Sequence, residues 1–112
     1  MTALPYSPLF RAGEWACISG QIGLVEDGLP DDVGDQVDAA LANLGRLLDQ
    51  HGLAKQQIAK TTVFLVDMED YAVMNERYAA WFGDHLPARS AVAVAGLPFG
   101  ARVEVEAWAH LG

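Results

Sequence analysis

A chain of 112 residues suits one domain and is too short for two, and its 15 acidic against 7 basic side chains give a formal charge of −8 that repels nucleic-acid phosphates. The apolar fraction of 52% is high for so small a chain, whose surface is large for its volume, so some apolar surface is expected to meet another subunit. The lone cysteine, Cys17, excludes an internal disulfide and makes a reducing cytoplasm the default; MTALPYSPLFRAGEW lacks the basic and apolar regions of a secretory signal, and no apolar run approaches the ~18 residues of a membrane span.

Residues 8–11 lead into a turn at Ala12, Gly13 and Glu14, and residues 15–19 have the β-branched and aromatic content of a second strand, which Gly20 is expected to break. Residues 21–30 read as a loop, with Asp31 or Asp32 as the N-cap of a helix. Over residues 32–51, Val33, Val37, Ala40, Leu41, Leu44, Leu47 and Leu48 recur at three- and four-residue spacing on one stripe, and Gly52 fits the position just past the helix end. Residues 58–66, IAKTTVFLV, predict a central strand, and their apolar second half suggests burial on both faces.

A second helix is expected over residues 70–82, with Tyr71, Met74, Tyr78, Trp81 and Phe82 on one core-facing stripe, Asn75 and Glu76 beside it, and Gly83 ending it. After Leu86 and Pro87 come strands over residues 88–95 and 102–110, joined by GLPFGA. The last alternates, with Val103, Val105, Ala107 and Ala109 on one face and Arg102, Glu104, Glu106, Trp108 and His110 on the other. The order β-β-α-β-α-β-β predicts an α+β fold with two helices on one face of a mixed sheet, leaving the other face to pack against further copies.

Residue type alone leaves the chemistry open. Arg89, with small same-face neighbours Ala91, Ala93 and Ala95, suits a carboxylate ligand held bidentately, but a structural pair with Glu104 or Glu106 is the more ordinary role. Glu104 and Glu106 share a face about 7 Å apart, from a rise of about 3.3 Å per residue, too far to couple strongly, and exposed glutamates are usually solvated or salt-bridged. His51, His85 and His110 show no metal-ligand spacing. Nothing ties a histidine to Ser19, Ser90 or Cys17 as a nucleophile, and neither SGQIG nor AGLPFGA has phosphate-loop spacing, so no metal or cofactor is expected.

In order and spacing, PYS at residues 5–7, SGQI at 19–22, KTTVFL at 60–65, Asn75, PARS at 87–90 and VEVEA at 103–107 resemble the RidA (YjgF-type) family of imine deaminases across almost the whole chain. The resemblance implies a chorismate-mutase-like fold and a homotrimer with three clefts between subunits. It also implies hydrolysis of the 2-imino acids 2-iminopropanoate and 2-iminobutanoate to the 2-oxo acid and ammonia. By the same resemblance Arg89 would hold the substrate carboxylate and keep a nearby Glu104 ionised. Glu104 would position and deprotonate the attacking water, and Tyr6, Ser19, Asn75 and the Ala91 backbone would line the cleft.

Departures from the family pattern are Pro8 where glutamine is frequent, Ala91 where cysteine is frequent, a shortened segment after SGQIG and a trimmed N-terminus. Other functions consistent with the sequence are a trimeric module sensing a 2-oxo acid without turnover, and a holdase using apolar surface. A ribonuclease, an activity attributed to some relatives, is opposed by the charge.

Overall fold

In the computed structural model, which describes residues 4–112, the first helix, α1 (Val33–Gln50), starts where the sequence placed it. Asp32 is its N-cap, its carboxylate accepting from the Asp35 amide at 3.1 Å. At the other end the Leu53 amide donates to the Leu48 carbonyl and the Gly52 amide to that of Asp49, a paired closure that needs the left-handed backbone of Gly52 (φ 70°). Of the expected stripe, Val33, Val37, Ala40, Leu41, Leu44 and Leu48 are buried and Leu47 partly so.

The sheet is built from β1 (Leu9–Ala12), β2 (Trp15–Ile22), β3 (Ile58–Leu65), β4 (Ala88–Ala93) and β5 (Val103–His110), in the order β1-β2-β5-β3-β4. Only β3 and β4 run parallel, linked by α2 (Tyr71–Phe82); the remaining pairs are antiparallel. The α+β class and mixed sheet expected from the sequence are therefore present. On β5 the alternation holds: Val103, Val105, Ala107 and Ala109 are buried in the same core as α1 and α2.

Several expectations need correction. Gly20 does not end β2: the strand runs to Ile22, with its pairing to β5 shifted between Ile18 and Gln21, so the glycine lies in a bulge. β3 is interior to the sheet but not buried on both faces of the chain, because Ile58, Thr61, Val63 and Leu65 are buried while Lys60, Thr62 and Phe64 are half-buried. Strand β4 stops at Ala93 rather than 95, since GLPFGA turns through a one-turn 3-10 helix at Pro98–Gly100, and β5 begins at Val103. Asp70 belongs to a 3-10 turn, Met68–Asp70, preceding α2.

Candidate active site

The β2 bulge positions a carboxylate. Ile22 pairs with Glu104, and a Cβ built on Gly20 would fall 2.6 Å from both Cδ and Oε2 of Glu104. Only glycine lets the glutamate side chain lie across the β2 backbone there. The N-terminal segment is tied to the same place: the Ser19 hydroxyl donates to the Ser7 carbonyl at 2.7 Å and the Ser19 amide to that of Pro8 at 2.9 Å. Tyr6, Ser19, Gly20, Pro98, Glu104 and Glu106 thereby line one hollow of about 350 Å³. Burial, and secondarily the neighbouring Glu106 charge, push the Glu104 carboxyl above its ordinary value.

Arg89 stands elsewhere. In the parallel pairing of β3 and β4 it lies beside buried Thr61, and Ala91 beside buried Val63, so both point to the helix-covered face. Glu104 pairs with Phe64 and Glu106 with Thr62, on the opposite face. Among the described residues Arg89 has no ion pair with either glutamate. Its guanidinium is 5.0 Å from the Tyr78 ring centre and 5.6 Å from that of Tyr71, and it donates to the Tyr71 hydroxyl at 3.2 Å. The structural pairing of Arg89 with Glu104 or Glu106 is thus not present within one chain.

Tyr71, read as core, is 41% exposed and forms part of this arginine platform. Tyr78 is core, and its hydroxyl shares a 2.6 Å hydrogen bond with buried Thr61. Burial raises the Tyr78 phenol, against the Thr61 hydrogen bond and the Arg89 charge. Asn75, one residue beyond Met74 on α2, has a buried Oδ1 with no hydrogen-bond partner among the described residues, a deficit of about 1–3 kcal/mol that an outside donor would relieve. The expected site residues therefore divide into two groups: Tyr6, Ser19 and Glu104 share a hollow, whereas Arg89, Ala91 and Asn75 belong to β4 and α2.

Further residues support these groups without having been singled out in the sequence. Asn43 of α1 donates to the carbonyls of Ile22 at 2.9 Å and Leu24 at 3.0 Å, fixing the chain that leaves the bulge. Gln36, buried, joins the Pro30 carbonyl to the Arg102 amide. Arg102 donates to both carboxylate oxygens of Asp70 at 3.0 Å, anchoring the entry to α2. Local patterns carry no sign of these contacts, since all but the Gln36–Pro30 bond join segments far apart in the chain. No group of three or more His, Cys, Asp or Glu among the described residues could hold a metal ion, and no helix is long and apolar enough to cross a membrane.

The family described as Endoribonuclease L-PSP matches residues 1–111. The mouse protein named 2-iminobutanoate/2-iminopropanoate deaminase is 42% identical, over 96% of this chain and 82% of its own length. A RutC family protein of Pyrococcus horikoshii is 39% identical, over 95% and 86%. Among solved structures, Escherichia coli TdcF with bound serine superposes with a TM-score of 0.91 at 36% identity, covering 97% of this chain and 90% of that one.

Proposed function

The chain belongs to the Endoribonuclease L-PSP family, the YjgF/RidA proteins, and from that premise we propose that it hydrolyses 2-iminopropanoate and 2-iminobutanoate in clefts between copies of the chain. The observation that carries the reading is the Glu104 carboxylate held over Gly20, in a hollow it shares with Tyr6, Ser19, Pro98 and Glu106. Its raised affinity for a proton suits a group that must take one up and return it. The deaminase name carried by the mouse relative adds support for the substrate class.

The chemistry needs two groups. Arg89, whose guanidinium rests on neutral aromatic faces, would hold the substrate carboxylate in two parallel charge-assisted bonds. As water attacks the imine carbon, one of its protons passes through Glu104 to the nitrogen, giving a carbinolamine; the remaining hydroxyl proton then passes by the same carboxylate to the nitrogen as the C–N bond breaks and the C=O bond forms, releasing ammonia and the 2-oxo acid. Positioning is the main contribution, because imines already hydrolyse in water.

Arg89 and Glu104 point to opposite faces of one sheet, so a single chain cannot bring both to one small substrate. Association joins the two halves, with Arg89, Asn75 and Ala91 from one copy meeting Tyr6, Ser19 and Glu104 of the next. A homotrimer with three such clefts, as the RidA resemblance implies, satisfies this. The test is mixing: Arg89→Ala and Glu104→Gln are each expected to be inactive, and co-refolding them in equal amounts should restore roughly a quarter of the clefts by random assembly. Absence of recovery, with normal assembly, overturns the two-copy cleft. No imine hydrolysis by the wild type overturns the deaminase. A 2-oxo acid sensor without turnover, a reading favoured by the serine bound to the TdcF relative, would then show binding alone.

A further inference from the structure

A second hollow, also about 350 Å³, shares Tyr6, Gly20, Pro98 and Glu104 with the first, and its lining is mostly apolar, with Leu4, Ile22, Leu24 and Phe99 around it. A volume at the lower end of the roughly 300–1,000 Å³ typical of small-molecule sites far exceeds what a methyl or ethyl group needs. One wall is stiff, because Asn43 holds the carbonyls of both Ile22 and Leu24. Phe99 forms another part of the lining, and it stands there at a cost.

Phe99 has φ 60° and ψ 18°, among the described residues the sole non-glycine at positive φ, and it is followed by Gly100 at φ 71°. For a residue with a Cβ this conformation costs about 1–2 kcal/mol, and glycine or asparagine would sit there more readily. The side chain repays little within the chain, being 78% exposed. An aromatic ring held in strained backbone beside a carboxylate, and left uncovered, fits a surface made for a ligand.

We infer that Phe99 and Leu24 form a side-chain subsite next to Glu104 that selects 2-imino acids with large apolar side chains, branched or aromatic, over 2-iminopropanoate. This rests on the deaminase reading and narrows it. The substrate carboxylate and imine carbon remain at the Arg89–Glu104 pair, while its side chain replaces water against the two walls. Each buried methylene contributes discrimination on the order of tenfold.

The experiment compares imines generated in situ from L-leucine and L-alanine by an amino-acid oxidase, with wild type, Phe99→Asn and Leu24→Ser. The expected result is a wild-type kcat/KM for the leucine imine at least about tenfold above that for the alanine imine, and a ratio that falls about tenfold in either variant. Asparagine accepts the left-handed backbone, so Phe99→Asn is not expected to unfold. Equal use of the two imines by the wild type, or a Phe99→Asn that slows both alike, overturns the subsite. So does a Phe99→Asn that lowers the assembled mass, which would make the ring a subunit contact. If the wild type hydrolyses no imine the deaminase reading fails, and calorimetric binding of 4-methyl-2-oxopentanoate against pyruvate decides the subsite separately. Tighter binding of the branched acid, weakened in Phe99→Asn, upholds it, and equal binding overturns it.

Discussion

On the helix-covered side of the sheet, Val63, Val103 and Val105 are at most 1% exposed, whereas on the other side of the same strands Phe64, Glu104 and Glu106 are half-buried and Trp108 is 45% exposed. The first face is finished within one chain: its side chains interlock with Leu41, Leu44, Met74 and Phe82. The second keeps apolar and acidic groups together in partial contact with water. Stability is concentrated on the one and unsatisfied binding capacity on the other, and Glu104 belongs to the second. Arg89 tempers the contrast, for it points to the covered side but at the edge strand, where α2 meets it with aromatic rings in place of aliphatic packing.

Glu104→Gln should divide the two faces most sharply. Its loss of kcat is expected to be about 10²–10⁴-fold in imine-hydrolysis assays, as for removal of a general acid–base. The same substitution should stabilise the fold. A carboxyl whose folded-state pKa is raised favours folding fully only while protonated, below its unfolded value, and that contribution disappears as pH rises through the folded one. Urea midpoints should therefore be higher for Glu104→Gln at neutral pH, with the advantage vanishing in acid.

Leu41→Ala, on the finished face, should cost about 2–5 kcal/mol in urea unfolding. Trp108→Ala, already exposed, should alter the stability of the isolated chain far less and the assembled mass in solution more; equal losses in the two variants would erase the distinction between the faces. Gly20→Ala sharpens it further. The new methyl meets the flexible end of Glu104, so the carboxylate swings aside and the fold adapts. Activity should fall about 100-fold, the scale of a 1 Å misplacement, while the urea midpoint barely moves. The smallest effect belongs to Asp32→Ala, which removes the α1 cap for about 1 kcal/mol and should leave the catalytic rate of the folded protein intact.

Legibility in the sequence followed the same division. The α1 stripe and the β5 alternation could be read because each is a local periodicity imposed by burial against one layer, and the α1 cap could be narrowed to Asp31 or Asp32 by its place before that stripe. The face of Arg89 could not, because it depends on the parallel register of β4 against β3, and a shift of one residue would have turned it over. Gly20 read as a strand terminator because its reason for being glycine is Glu104, distant in the chain and adjacent only after β2 and β5 pair. Tyr71 fell on the core stripe by spacing, yet it sits where α2 emerges beside the sheet edge. Phe99 gave no signal either, since its backbone angle becomes visible only in the folded turn.

The Gly20–Glu104 contact also constrains how this chain can change over time. Replacing the glycine is cheap for folding only if the glutamate withdraws, and shortening the glutamate releases the glycine from its constraint. Substitutions at 20 and 104 should consequently arise together among relatives. A lineage carrying a bulkier residue at 20 would be one that had already given up the carboxylate, and could be recognised as such from two letters of its sequence.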